Sequence, residues 1–206
     1  MKSRFPLLEL PRVPLAADAS VAINLLGTGV CEILMRNLAR PIIMAEEALA
    51  EVRRHPFPGA DLAAEMARLR DGGLIREHAL GTVGRAIFHK LIADDLARGL
   101  DDGEAATIAL AIEHSVDTVA VVDEKKATRI FADRWGGRAI NDTVTLLAQP
   151  ETQGALTPAE FAQACCCAVQ HARMRVPAEG MDWLVGVIGL EQARRFPALA
   201  GALRRT

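Results

Sequence analysis

The chain has 206 residues, of which 50% are hydrophobic, 24% charged and 4% aromatic. A chain of this length suits one globular domain with an appendage, and it buries enough surface to fold without disulfides or a structural metal. The formal net charge of -2 excludes a global positive field that would gather nucleic acid. Any such contact therefore has to come from a local patch or through a metal ion.

The apolar stretches are too interrupted for a membrane span or a secretory signal. The longest candidate span, 21–34, contains glycines and polar residues, and the leader at 1–12 mixes prolines with charged residues. We therefore expect a soluble, cytoplasmic protein.

Cysteine and histidine spacing does not predict a zinc site. The consecutive residues Cys165, Cys166 and Cys167 would point about 100° apart on a helix, so they cannot close one tetrahedral site. The histidines are scattered and lack the HExxH spacing. We expect reduced thiols that serve packing.

Apolar periodicity predicts strands that alternate with helices over most of the chain. In chain order, the predicted elements are strand 13–17, helices 20–26 and 30–38, strand 41–44, helices 46–55 and 61–70, strand 74–80, helices 83–96 and 101–114, strand 118–122, helix 124–135, strand 138–140 and helix 142–148. This alternation is typical of an α/β fold whose parallel sheet is covered on both faces.

The pattern changes near residue 150. Thr157, Pro158 and Glu160 have the order of an N-cap, an N1 proline and an N3 glutamate, which predicts a long helix to about Met174. Two shorter helices are predicted after it, at 178–188 and 190–203. We predict a leader at 1–12, a main domain at 13–149, and a helical C-terminal extension at 150–206 that packs on the main domain.

Two predicted strands end at an aspartate, namely Asp18 after 13–17 and Asp123 after 118–122. In an open parallel sheet, the ligand crevice lies at the carboxyl ends of the strands. If these strands are neighbours, both carboxylates project into one crevice and form a cation site. Each aspartate also precedes a predicted helix, so a simple N-cap is the alternative.

Further acidic residues lie in two predicted helices. Glu104 opens the helix at 101–114, where the alternative is a capping box with Asp101. Glu47 and Glu51 share a face of the helix at 46–55, and like charges at that spacing favour a nearby cation. The alternative is a solvated face, and which of the two glutamates belongs to a site stays open.

These acidic residues and their neighbours resemble the PIN-domain ribonucleases. The resemblance covers about 13–147 and rests on Asp-Ala-Ser-Val-Ala-Ile-Asn at 18–24, Ala-Leu-Ala-Glu-Val at 48–52, Gly-Glu-Ala at 103–105 and Val-Val-Asp at 121–123. It implies a PIN-like three-layer α/β fold with a central parallel sheet of four to five short strands. It also implies that the catalytic acids are Asp18, Glu51, Glu104 and Asp123.

The chemistry expected at these acids is metal-dependent hydrolysis of a phosphodiester. Hard carboxylate oxygens suit Mg²⁺ or Mn²⁺. We expect Asp18, Glu104 and Asp123 to be ligands, while Glu51 binds directly or orients a water on the ion. Ser20 and Asn24 are expected as supporting hydrogen-bonding groups. The alternatives are an N-cap for Ser20 and an ordinary helix asparagine for Asn24.

A basic patch follows Asp123 and is predicted to hold phosphates of a nucleic acid. Its members are Lys125, Lys126, Arg129, Arg134 and Arg138. A solvated helix face is the alternative. The absence of tyrosine and the few other aromatic residues argue against base stacking as the main mode of recognition.

The resemblance predicts an RNA-cleaving enzyme. It also suggests the toxin of a toxin–antitoxin pair, which would act as a homodimer and be neutralised by a small antitoxin protein. The alternative is a non-catalytic PIN-like module that binds a protein or nucleic-acid partner while the acids serve as caps. A nucleotide-binding loop is set aside, because Gly27-Thr-Gly29 lacks the third glycine and no segment matches a P-loop.

Overall fold

The computed structural model describes residues 13–54, 59, 61–93, 100–114, 118–134 and 140–199. The strands are β1 Leu15–Ala17, β2 Ile42–Ala45, β3 Ile75–His78, β4 Val119–Val121 and β5 Ile140–Asn141. The helices are α1 Ala19–Gly27, α2 Cys31–Leu38, α3 Glu46–Arg54, α4 Leu62–Asp71, α5 Thr82–Ala93, α6 Asp102–Glu113, α7 Lys125–Arg134, α8 Thr143–Leu147, α9 Pro150–Gln153, α10 Pro158–His171, α11 Ala178–Ile188 and α12 Leu190–Arg194.

The five strands form one parallel sheet in the order β3-β2-β1-β4-β5. Ala17 of β1 is in register with Val121 of β4, and the backbone N–H of Asp18 donates to the carbonyl of Val121 at 3.3 Å. The carboxyl ends of β1 and β4 are therefore adjacent. The predicted α/β fold with a central parallel sheet is confirmed, and the two strands that end at Asp18 and Asp123 are neighbours.

The chain divides into two compact units. The sheet unit consists of the described residues within Leu10–Ala22 and Arg40–Asp142, and it contains the strands and α3 to α7. The helical unit consists of those within Ile23–Ala39 and Thr143–Thr206, and it contains α2 and α8 to α12. Helix α1 begins in the sheet unit and ends in the helical unit. The predicted division between residues 149 and 150 stays a prediction.

One face of the sheet packs with α5, α6 and α7 in the core of the sheet unit. Alternate strand residues point to the same face, so Ala16, Ile43 and Ala120 enter this core together. Helix α6 is buried over most of its length, from Ala105 to Ala111. Burying each large aliphatic side chain stabilises the fold by about 1.5 to 3 kcal/mol. The buried middle of α6 holds its first turn at the carboxyl ends of β1 and β4.

In the helical unit, α10 begins as predicted. Thr157 Oγ1 accepts from the backbone N–H of Glu160 at 3.4 Å, and the backbone N–H of Thr157 donates to Glu160 Oε2 at 2.9 Å. This reciprocal capping box starts the helix. Cys165 and Cys166 are buried in α10 and form no disulfide, in agreement with the packing role predicted for the thiols.

The end of the chain differs from the prediction. The helix predicted at 190–203 stops at Arg194, and residues 197–199 form a separate helical turn. Pro197 explains the break, because it lacks an N–H and keeps the preceding Phe196 out of the helical conformation. Helix α9 was not predicted, although Pro150 at its first turn is a helix-start signal. The predicted segments at 94–96, 138–139 and 200–203 lie outside the described residues.

Among the described residues, no single helix has both the length and the hydropathy to cross a membrane, and α1 and α2 pass that test only as a pair bent by 116°.

Candidate active site

Six carboxylates gather in the sheet unit where β1 and β4 end and α6 begins. We call them the acid cluster: Asp18, Glu51, Asp101, Glu104, Asp123 and Glu124. They are linked electrostatically, because the negative charge of one member raises the pKa of another. The structure therefore brings together all four acids that the sequence singled out, although they lie on four different elements or loops.

Asp18 is the most buried member, with 2% of its surface exposed. Its pKa is raised to about 8, mainly by burial and next by the charge of Asp123. The charge of Glu104 also raises it. Two hydrogen bonds act against this shift: Asp18 Oδ1 accepts from the N–H of Val21 at 2.8 Å and from Ser20 Oγ at 2.9 Å. Asp18 thus caps α1 and also lies near other acids, so its capping role does not exclude a role in a cation site.

Glu104 also combines a cap with a place in the acid cluster. Its backbone N–H donates to Asp101 Oδ1 at 2.7 Å, and its Oε2 accepts from the N–H of Asp101 at 3.2 Å, which completes a capping box at α6. Burial, followed by the charge of Asp101, raises the pKa of Glu104 to about 7, and Glu124 and Glu51 add to it. The capping box expected as the alternative to a site role is therefore present within the cluster.

Glu51 reaches the acid cluster from α3. Burial, followed by the charge of Asp101, raises its pKa, while Arg54 on the next turn lowers it. Glu47 is not among the groups that shift the pKa of Asp18, Glu51 or Glu104. One of its carboxylate oxygens is buried without a hydrogen-bond partner. Of the two glutamates that the sequence left open, Glu51 is the one that lies in the cluster.

The predicted supporting residues fall in different places. Ser20 hydrogen-bonds directly to Asp18, as expected for a supporting group. Asn24 is buried, and its Nδ2 donates to Thr143 Oγ1 at 3.4 Å within the helical unit. This hydrogen bond joins α1 to α8, so the Asn24 amide has a structural partner in the helical unit.

The basic patch is described in part. Lys125 and Arg129 are exposed on α7 and Lys126 is half-buried, so their charges lie on the helix that begins two residues after Asp123. The side chain of Arg134 and the whole of Arg138 lie outside the residues that the structure describes.

Two cluster members were missed as site residues by sequence reasoning. The sequence pattern indicates Asp101 only as a cap for Glu104, yet its charge raises the pKa of both Glu51 and Glu104. Glu124 was not selected, and its charge raises the pKa of Glu104. The signal for Glu124 was its position directly after Asp123. A capping role and a place in the acid cluster are compatible, because Asp18 and Glu104 each combine the two.

The acid cluster fits a divalent cation by its donor chemistry. Its oxygens are hard ligands, and a nearby positive charge would favour the ionised forms of Asp18 and Glu104, which burial and then the neighbouring acids disfavour. Within the described part of the chain, no three His, Cys, Asp or Glu side chains are arranged to hold a metal. Asp18 Oδ1 and Glu104 Oε2 each accept a hydrogen bond from a backbone N–H group.

Comparison with known families identifies the fold. A family model described as a PIN domain matches residues 15–183, which is most of the chain. The chain belongs to the PIN-domain family. No curated protein and no solved structure matches it. PIN domains are generally nucleases and generally use divalent metals, so this chain has a nuclease-type fold. The family match runs through α10 and into α11, past the predicted domain end at residue 149.

Proposed function

We propose that this PIN domain is a Mg²⁺- or Mn²⁺-dependent ribonuclease. The acid cluster is the observation that supports the proposal. Burial and mutual repulsion raise the pKa of Asp18 to about 8 and that of Glu104 to about 7, at the sheet edge where α/β proteins bind ligands. Strongly shifted carboxyl groups are typical of functional sites.

In this proposal, Asp18, Glu104 and Asp123 hold the ion. When bound, the ion would lower the pKa of a water and stabilise charge on the scissile phosphate. Ser20 keeps the Asp18 carboxylate in one orientation through its hydrogen bond at 2.9 Å. Glu51 completes the set from α3, either as a ligand or as the group that orients the water.

The proposed substrate is RNA, held mainly through its phosphates. Lys125, Lys126 and Arg129 lie on α7 just after Asp123, and their proposed role is to bind phosphates of the RNA. The chain has no tyrosine and only eight other large aromatic residues, namely six Phe and two Trp, so base stacking is a minor contribution.

A narrower proposal is that the protein is the toxin of a toxin–antitoxin pair, acting as a homodimer that a small antitoxin inhibits. Membership of the PIN-domain family is its support. The test is to co-express the chain with the product of the neighbouring reading frame. A stable complex in which RNA cleavage is lost is expected, and a neighbouring product that neither binds nor inhibits the chain contradicts the toxin role.

The nuclease proposal is tested with the purified full chain and a labelled single-stranded RNA. With Mn²⁺ present we expect slow cleavage, which EDTA stops. Asp123→Asn should abolish cleavage while the protein stays folded, because it removes a ligand to the catalytic ion. Asp182→Asn is the matched control, since Asp182 is exposed on α11 in the helical unit.

Equal cleavage by the wild type and Asp123→Asn would indicate a contaminating nuclease and favour the non-catalytic binding module. A DNA strand of the same base sequence, measured in parallel, separates RNA from DNA as the substrate.

A further inference from the structure

Gly103 lies at the point where α3 meets the first turn of α6. It is the second residue of α6, and it is buried between the two residues of the capping box, Asp101 and Glu104. A β-carbon placed on Gly103 would lie 2.6 Å from Glu51 Oε2 and 3.3 Å from the Cα of Ala48. The first distance is shorter than carbon–oxygen contacts allow. Any side chain at position 103 would therefore push the Glu51 carboxylate away from the start of α6.

Backbone conformation does not explain the glycine. The glycines that have a positive φ among the described residues are Gly29, Gly59, Gly73 and Gly189, and Gly103 is not one of them. An alanine could adopt the backbone angles of Gly103, and alanine is the stronger helix former. The space that a β-carbon would need is taken by the Glu51 carboxylate and is also bordered closely by the Ala48 backbone.

The contact also explains why Glu51 lies among like charges. Ala48 is fully buried one helical turn before Glu51, and its Cα faces Gly103, so the two small residues let α3 and α6 approach closely. The Glu51 carboxylate then lies at the N-terminus of α6, where the helix dipole favours a negative charge. This dipole partly offsets the repulsion from Asp101 and Glu104.

We propose that Gly103 is a positioning residue of the acid cluster, because its missing side chain makes the space in which the Glu51 carboxylate joins Asp101 and Glu104. The inference rests on the proposed function, in which this cluster holds a divalent cation. With alanine at position 103, the Glu51 side chain swings outwards, since it is flexible and the Ala48 backbone is not. The chain then keeps its fold and loses one acid from the cluster.

The test is a double-mutant cycle on the full chain with wild type, Gly103→Ala, Glu51→Ala and the double variant. Mn²⁺ affinity is measured by calorimetry, and thermal melts in EDTA check folding. Gly103→Ala should weaken Mn²⁺ binding about tenfold, as loss of a group that orients ligands typically does. In the Glu51→Ala background, the same substitution should change the affinity less than about twofold, because the displaced group is already absent.

Gly186→Ala is the matched control. Gly186 lies in α11, and a β-carbon there meets nothing within 4 Å, so this variant should bind Mn²⁺ as the wild type does. If Gly103→Ala fails to fold, the double variant should fold, because it lacks the carboxylate that the new methyl group meets. Failure of the double variant as well would make the Ala48 backbone the obstacle and overturn the proposal.

Two results would overturn the role of Gly103 alone. One is wild-type Mn²⁺ affinity in Gly103→Ala, and the other is an equal loss of affinity with and without Glu51, which would mean that α6 itself is distorted. Failure of the proposed function looks different, because the wild-type chain would then bind no Mn²⁺ in any arm of the experiment and cut no RNA.

Discussion

The two ends of helix α6 hold glutamates in opposite electrostatic states. At its start, burial and neighbouring acids raise the pKa of Glu104 to about 7. At its end, burial is the largest single influence on Glu113 and raises its pKa, but the backbone hydrogen bonds from Gly84 and Gly81, with smaller contributions, together outweigh it and lower the pKa. Glu113 accepts from the N–H of Gly81 at 2.9 Å and from that of Gly84 at 3.1 Å. Those N–H groups belong to the start of α5.

At both ends of α6, glycines without a β-carbon leave space for a glutamate carboxylate, but the carboxylates meet different neighbours. A β-carbon on Gly81 or Gly84 would collide with the Glu113 carboxylate, as one on Gly103 would collide with Glu51. At the end of α6 the admitted carboxylate meets N–H donors and ties α5 to α6. At the start it meets other carboxylates. Glu113 therefore contributes to the stability of the fold, whereas the carboxylates at the start of α6 repel one another and form the site that we propose for a metal ion.

The largest expected effect concerns Asp18, the most buried acid. The pKa of Asp18 is about 8 in the folded chain and 3.8 when the group is fully solvated, as in the unfolded chain. Between pH 3.8 and pH 8, the folded chain therefore holds a proton that the unfolded chain has lost. In EDTA, the free energy of unfolding should therefore fall as pH rises from 4 to 8. Asp18→Asn keeps the cap and should be more stable than the wild type by about 3 kcal/mol at pH 8. Urea unfolding at four pH values measures this, and parallel curves for the two proteins would contradict it.

The second effect is stabilisation by metal. Mn²⁺ at a hundredfold excess over Kd should stabilise the wild type by about 2.7 kcal/mol, since it binds only the folded state. Glu104→Gln should gain much less, because it lacks a ligand. Glu113→Gln at the other end of α6 is the control, and its gain should equal that of the wild type. Thermal melts with and without Mn²⁺ give these values, and equal gains for all three proteins would remove Glu104 from the site.

The third effect is the stability of Glu104→Gln without metal. Gln keeps the reach that the capping box needs but removes one charge from the acid cluster, so repulsion decreases. In EDTA at pH 8, the free energy of unfolding of the variant should be about 1 kcal/mol higher than that of the wild type. A variant no more stable than the wild type would mean that Glu104 acts only as a cap.

The smallest effect is expected at Glu113. Glu113→Gln weakens two hydrogen bonds to a charged acceptor that solvent partly screens, so it should lower the free energy of unfolding by about 0.5 to 1 kcal/mol at pH 7. Because the folded pKa of Glu113 is depressed, its contribution is present above the unfolded pKa and is lost as pH falls through the folded pKa. Urea unfolding measures the loss, with the exposed Glu179→Gln as the control. A loss that grows below pH 4 would contradict the assignment.

Local patterns predicted most of the secondary structure. Apolar runs located β1 and β4, and the spacing of Asp101 and Glu104 predicted a capping box that the structure contains. These features depend on residues close together in the chain, so the backbone interactions that create them are visible in the sequence. Pro197 is also a local signal, and it predicts the end of the helix before it. The apolar pattern continues on both sides of Pro197 and favours one continuous helix instead.

By itself, the sequence determined the α/β class and placed Asp18 and Asp123 at the ends of strands. Tertiary structure alone decided that those strands are neighbours and that Glu51 rather than Glu47 lies in the acid cluster. It also decided the use of Glu113, whose partners lie 29 and 32 residues away. The physical reason is that a carboxylate's pKa depends on which charges and N–H groups surround it. Residue spacing sets the local part of those surroundings, such as the capping bonds, and chain packing sets the charges and N–H groups that come from distant parts of the chain.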